Sequence, residues 1–223
     1  MDIIDYPDAE MMMMDIANRL AGELKQALIG GGRASLAVPG GTTPGPIFDS
    51  LCAADLDWPR VDVMLTDERW VPETSERSNT RLLRQRLLVN HAAAANYLPL
   101  YADAQSPEEG LPALEAAINT CLPLSVVLLG MGADMHTASI FPGADRLHDA
   151  LYGDATLVAM RAPSAPEPRI TLSAKVLRGA MSLHVVITGA AKRKAIEAAR
   201  NLTPEDAPIA AVLKGATIHW AES

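Results

Sequence analysis

Ser125 opens a run of four aliphatic side chains, Val126-Val127-Leu128-Leu129, in which no polar residue alternates. Successive side chains of a strand point to opposite faces, so a run like this one is buried on both. Strands covered on both faces belong inside a parallel sheet, and parallel neighbours need crossover connections, usually helices. That segment alone argues for a layered α/β architecture. The rest of the chain alternates accordingly. Asp8 to Ile29 reads as a helix, because Met12, Ile16, Leu20, Leu24 and Leu28 recur at helical spacing. Gly30, Gly31 and Gly32 are expected to end it by adopting positive φ. Further strands are expected at Ser35–Val38, Val61–Leu65, Thr156–Met160, Arg169–Leu172, Leu183–Thr188 and Ile209–Leu213. Helices are expected at Ser78–Leu88, Pro107–Thr120 and Ala190–Arg200, with Pro163–Pro168 a loop. The expectation is one domain over residues 1–223, α/β and Rossmann-like, with a mostly parallel sheet and helices on both faces.

The charge balance removes several functional classes. Nineteen basic and 27 acidic side chains give a formal charge of −8, so nothing attracts nucleic acid or an anionic membrane. An anionic ligand would need a local cluster of cations. No apolar stretch approaches the roughly 20 residues of a membrane span. Asp2 and Asp5 replace the basic start of a signal peptide. Cys52 and Cys121 lack C-x-x-C spacing and read as reduced thiols. The expected location is cytoplasmic. The oligomeric state is left between monomer and weak homodimer.

Ligands of open α/β sheets bind at the carboxyl ends of the strands, and three such loops carry chemistry. The first strand leads into Pro39-Gly40-Gly41-Thr42-Thr43-Pro44 and a helix. Glycines, hydroxyls and a helix N-terminus suit an anion there, although an ordinary strand-to-helix turn capped by Thr fits equally well. It is not a Walker A loop, because no Gly-Lys-Ser/Thr follows. The next strand ends in Thr66-Asp67-Glu68-Arg69-Trp70-Val71-Pro72, then Ser78-Asn79. Arg69 can hold a phosphate or carboxylate through two bonds, or make a local salt bridge. The apolar strand ends in Gly130-Met131-Gly132-Ala133-Asp134-Met135-His136-Thr137-Ala138-Ser139. Met135 in the third glycine position defeats a dinucleotide fingerprint. What remains is a glycine-rich turn presenting His136, with Asp134 placed to orient it.

The other histidines, His91, His148, His184 and His219, lie in less suggestive places. Asp134 and His136 have no third ligand nearby in sequence, so no metal site is expected. The absence of Gly-x-Ser-x-Gly argues against a serine nucleophile. Arg169 at the start of a strand and Lys192 in the first turn of a helix would, with Arg69, supply the cationic cluster.

The segments VPGGTTP, LTDERWVP with the following SN, LLGMGADMHTASIFPG, PRITLS and ITGAAKRKAI, in this order and spacing, resemble the 6-phosphogluconolactonase family along most of the chain. The resemblance implies a fold shared with sugar-phosphate isomerases and deaminases. It implies hydrolysis of 6-phospho-D-glucono-1,5-lactone to 6-phosphogluconate in the oxidative pentose phosphate pathway, with no cofactor. By resemblance His136 is the catalytic histidine and Asp134 its neighbouring carboxylate. Arg69, Arg169 and Lys192 would bind phosphate and sugar, with Arg69 or backbone N–H groups stabilising the oxyanion. Asp67 and the Gly40-Gly41-Thr42 loop would line the substrate site. Two features depart from the family pattern. Met135 stands where glycine is usual, at a cost of about 1 kcal/mol if positive φ is required. Ile218-His219-Trp220-Ala221 matches loosely. The rival readings are a glucosamine-6-phosphate deaminase, against which Asp67-Glu68-Arg69 and HTASIFPG stand, and a non-catalytic sugar-phosphate sensor.

Overall fold

The computed structural model of the protein describes residues 2–30 and 32–223. Gly31, expected to help end the first helix, lies outside them. In chain order the elements are β1 (Asp2–Asp5), α1 (Ala9–Ile29), β2 (Ala34–Val38), α2 (Gly45–Leu51), β3 (Val61–Leu65), β4 (Asp67–Arg69), α3 (Asn79–Arg86) and β5 (Asn96–Leu98). They continue with α4 (Pro107–Asn119), β6 (Val126–Gly130), α5 (Leu147–Tyr152), β7 (Leu157–Met160), β8 (Arg169–Leu172), α6 (Ala174–Arg178), β9 (Ser182–Thr188), α7 (Ala190–Ala199) and β10 (Thr217–Ala221). Seven strands form one sheet in the order β1-β10-β9-β6-β2-β3-β5. All its described pairings are parallel. Every residue of β2 and β3 is buried, so helices and loops cover both faces of the sheet there. The chain runs from β2 outward to β3 and β5, then crosses back to β6 and continues outward to β9 and β10. Strand order therefore reverses between β2 and β6, which opens a crevice at their carboxyl ends.

Helix α1 shows how sequence becomes packing. Asp8 accepts a hydrogen bond from the Met11 N–H at 2.8 Å and caps the helix. Met12, Ile16, Leu20, Leu24 and Leu28 fall on one stripe and are buried, each contributing roughly 1.5–3 kcal/mol. The stripe packs on β2, β6 and β10. The helix ends at Gly30 with φ −66°, its N–H bonded to the Leu28 carbonyl. The left-handed cap expected at this glycine is therefore not used.

Two further expectations are corrected. Leu157–Met160 and Arg169–Leu172 do not join the parallel sheet. With Asp67–Arg69 they form a separate antiparallel sheet in the order β4-β8-β7, because the Pro163–Pro168 loop turns the chain back as a hairpin. Ile209–Leu213 is not a strand. Pro208–Ala211 is a 3-10 turn, which buries Ile209 and Val212 without any ladder. The last strand is instead Thr217–Ala221, between β1 and β9.

This last strand brings His219 beside His184 of β9, with His184 Nδ1 2.9 Å from His219 Nε2. Tyr6 Oη lies 2.8 Å from His219 Nδ1 and donates to Asp15 Oδ2 at 2.5 Å. His184 Nε2 lies 2.9 Å from Glu23 Oε2 and 3.1 Å from Ser182 Oγ. Burial pushes the His219 pKa down to about 4, and the neighbouring His184 and Arg19 add to this against Asp15 and Glu23. The folded protein thus refuses at His219 a proton that the unfolded chain accepts below its ordinary value near pH 6.5. Above that pH both states are neutral and His219 costs nothing; below it stability falls by up to ~1.4 kcal/mol per unit until about pH 4. Thermal midpoints should drop steadily on acidification from about pH 7 to 4.5. A flat profile over that window would remove His219 as the cause.

Candidate active site

The crevice is a cleft of about 320 Å³ lined by Pro39 to Pro44, Asp67, Arg69, Asn79, Gly130 to Gly132, His136, Ala138, Phe141, Arg169, Val186 and Lys192. The sheet order explains the gathering. Strands β9, β6, β2 and β3 are consecutive neighbours, so loops distant in sequence leave the sheet side by side. Gly40, Gly41, Thr42, Asp67, Arg69, His136, Arg169 and Lys192 all line this one cleft. Asp134 is not part of the lining and meets the cleft only through its contact with His136.

The turn after β6 is built to present His136. Gly132 N–H donates to the His136 carbonyl at 3.0 Å, Met135 N–H to the Gly132 carbonyl at 3.0 Å, and Thr137 Oγ1 to the Gly130 carbonyl at 2.9 Å. His136 Nδ1 lies 2.5 Å from Asp134 Oδ1, which also accepts the His136 backbone N–H at 3.2 Å. With the Nδ1 proton directed at the carboxylate, Nε2 is left as the acceptor. Any Cβ on Gly132 would lie 2.2 Å from the His136 ring, so this close approach demands glycine. Met135 has φ +65°, the left-handed conformation that its departure from glycine was expected to strain, at about 1 kcal/mol. Its carbonyl accepts the Ile209 N–H at 3.0 Å, and its side chain packs on the core; these contacts hold it there. Ala138, φ +48°, turns the chain a second time.

Another part of the lining is cationic. In the small sheet Arg69 of β4 is the direct cross-strand partner of Arg169 of β8. Like charges placed so repel one another. Both Nε atoms are buried without a hydrogen-bond partner, although Arg69 Nη1 donates to the Arg77 carbonyl at 2.6 Å. Arg169 is 7% exposed, and its carboxylate neighbours stand off, Asp67 at 4.0 Å and Glu167 at 3.8 Å. Burial pulls the Arg169 pKa below its ordinary value, and Arg69 adds to this while Asp67 and Glu167 oppose it. Two opposed guanidiniums with unsatisfied buried donors suit an anion. Lys192, half-buried in the first turn of α7, adds a third cation.

Asp67 has its carboxylate largely engaged by the protein: Oδ2 accepts Ser139 Oγ at 2.5 Å and Oδ1 accepts Thr66 Oγ1 at 3.2 Å. Glu68 does not pair with the Arg69 guanidinium. It is 1% exposed and accepts the N–H groups of Arg69, Asn79 and Thr80 at 2.7, 2.9 and 2.7 Å. It also accepts the hydroxyls of Ser78 and Thr80 at 3.1 and 2.8 Å. This arrangement seats α3 and directs Asn79 to the cleft, where its side chain covers Gly40 so closely that a Cβ there would lie 2.0 Å from Oδ1. Neither Thr42 nor Thr43 caps α2; Pro44 is the N-cap, without a side-chain bond. Asn79 and Phe141 were not singled out from the sequence. Their only signals are the Ser78-Asn79 pair after DERWVP and the HTASIFPG continuation.

Among the described residues, no group of three or more His, Cys, Asp or Glu side chains is placed to hold a metal ion. None of their helices is long and apolar enough to cross a membrane.

Residues 7–220 match the family described as glucosamine-6-phosphate isomerases/6-phosphogluconolactonase. A 6-phosphogluconolactonase of Mesorhizobium japonicum is 42% identical over 225 residues, covering 97% of this chain and 93% of the relative. That of Rhizobium meliloti is 41% identical over 234 residues, covering 99% and 98%. The crystal structure of a 6-phosphogluconolactonase from Shewanella baltica superposes with a TM-score of 0.95 at 32% identity, covering 99% of this chain and 97% of that one. Fold, chain length and sequence agree, and the chain belongs to the glucosamine-6-phosphate isomerase/6-phosphogluconolactonase family.

Proposed function

We propose that this protein hydrolyses 6-phospho-D-glucono-1,5-lactone to 6-phosphogluconate, the second step of the oxidative pentose phosphate pathway. It works as one domain in the cytoplasm, where its two cysteines stay free. The observation that carries this reading is the cleft itself. His136, held by Asp134 at Nδ1, shares one cleft with two cross-strand arginines whose buried Nε atoms lack partners.

A δ-lactone is an activated ester, so a modest push suffices. His136 Nε2 takes a proton from water as the water oxygen attacks the lactone C1 carbonyl. Asp134 holds the imidazole and favours the imidazolium that forms. Arg69 and backbone N–H groups of the surrounding loops stabilise the tetrahedral oxyanion. The C1–ring oxygen bond then breaks, and His136 returns its proton to the departing ring oxygen. Arg169 and Lys192 hold the phosphate, a dianion for most of the time near neutral pH.

Arg169→Ala or Lys192→Ala should raise KM for the phosphorylated lactone by about 10- to 100-fold, the worth of one charge-assisted bond. Turnover of unphosphorylated D-glucono-1,5-lactone should scarcely change. Equal losses on both lactones would assign these residues to the fold or the chemistry instead.

A further inference from the structure

Phe141 closes the turn that carries His136, and its ring lies against two groups of the cleft at once. Its centroid is 4.3 Å from that of the His136 imidazole, with the planes 33° apart. The Arg169 guanidinium carbon lies 5.7 Å from the same centroid. We infer that Phe141 is a positioning residue of this site: its ring fixes the imidazole plane of His136 and the reach of Arg169 together, so that base and anion-binding end keep one spacing. The inference rests on the reading of His136 as the base.

The Asp134 hydrogen bond fixes only one edge of the imidazole. A single bond at Nδ1 leaves the ring free to swing about it, and Nε2 would sweep across the cleft. Contact on the ring face removes that freedom, as does the close approach of Gly132 to the ring. Phe141 can serve as a fixed reference because it is itself anchored. It is 6% exposed, its carbonyl accepts the Ala144 N–H at 3.2 Å, and Ile140 beside it is wholly buried. Upstream, Thr137 and Ile140 form a bridge, and Ser139 is tied to Asp67 and to Thr171 Oγ1. The left-handed Ala138 brings the chain back so that residue 141 meets residue 136. The ring also has an electrostatic effect. Its face attracts cations, and in the reaction the group against it becomes an imidazolium while the other is a guanidinium. A ring that favours both is matched to the transition state rather than to the resting site.

Phe141→Leu removes the ring and keeps an apolar side chain; Phe141→Tyr keeps the ring. Both are assayed on phosphorylated and unphosphorylated gluconolactone, with thermal midpoints recorded. The leucine variant should lose about tenfold in kcat on both lactones, because the base is shared. Its KM should rise a further few-fold for the phosphorylated lactone alone, through Arg169. The tyrosine variant should keep kcat within about twofold. In proton NMR the His136 imidazole resonance, identified by its loss in His136→Ala, should move downfield in the leucine variant as the ring current disappears. If the leucine variant does not fold, Phe141→Met, which refills the space, is read in the same way. Wild-type kcat in the leucine variant beside an inactive His136→Ala overturns the positioning role alone. Parallel losses in the leucine and tyrosine variants that track their thermal midpoints overturn it as well, leaving only packing. An active His136→Ala overturns both the base assignment and the inference built on it.

Discussion

His136→Ala is expected to lower kcat by about 10²- to 10⁴-fold, the usual span of general acid–base help. KM for the phosphorylated lactone should stay near the wild-type value, because the cations proposed to hold the phosphate are other side chains of the cleft. Thermal stability should change little. The His136 side chain is 30% exposed, and its loss opens space to solvent rather than leaving a sealed cavity. What disappears is, among the described residues, the one histidine that lines the cleft, with its Nδ1 held by a carboxylate. The rate should be measured against the spontaneous hydrolysis of freshly generated lactone. A variant that retained near-normal kcat would mean that another group, or the oxyanion donors alone, drives the reaction.

Glu68→Ala should have the largest effect on stability. Its carboxylate is the shared acceptor of three backbone N–H groups and two hydroxyls, four of these donors at the start of α3 and the fifth the Arg69 N–H of β4. Alanine leaves those donors buried with nothing to accept them, at about 1–3 kcal/mol for each that water fails to reach. A total of about 3–5 kcal/mol is a large part of the stability of a typical domain. For a chain of this size it corresponds to a fall in thermal midpoint of roughly 6–20 °C. Activity should suffer as well, since Arg69 and Asn79 are both positioned by this carboxylate. Glu68→Gln should fall between, because the amide keeps one acceptor oxygen but turns an NH₂ toward other donors. A midpoint within about 2 °C of wild type for the alanine variant would show that water takes over these bonds.

The readable parts of the fold were those in which one residue type does one job. β2 and β6 are runs of small and aliphatic side chains buried on both faces, and β3 is one interrupted only by Asp62, which Arg33 and Asn96 satisfy. β1 and β10 were missed because their character depends on partners remote in sequence. Thr217-Ile218-His219-Trp220-Ala221 carries a histidine at its centre, and that residue is acceptable in a buried strand only because His184 and Tyr6 meet it. Ile209, Val212 and Leu213 looked more strand-like, yet burial alone does not make a strand; they reach the core from a turn.

The candidate site was legible for a similar reason. Glycine, histidine and paired charges at strand ends have few structural uses. The opposition of Arg69 to Arg169 was not legible, because it depends on the register of an antiparallel pair whose strands are a hundred residues apart. Phe141 looked like one more apolar residue, since its meaning comes from the imidazole and the guanidinium it touches.

The crevice between β2 and β6 also bears on how the protein comes into being. Ser35 N–H donates to Ser125 Oγ at 3.0 Å, and Ser125 N–H returns the bond to Ser35 Oγ at 2.9 Å, across a separation of 90 residues. This reciprocal lock ties the two strands together at the end opposite the cleft. Closing a loop of that length costs about 4 kcal/mol of chain entropy beyond a constant, and it is repaid only once the sheet on both sides has formed. During synthesis β2, β3 and β5 precede their central neighbour β6. His136, Arg169 and Lys192 all lie beyond β5, so a chain that stops there carries only part of the cleft's lining, and the two walls meet only when β6 joins β2.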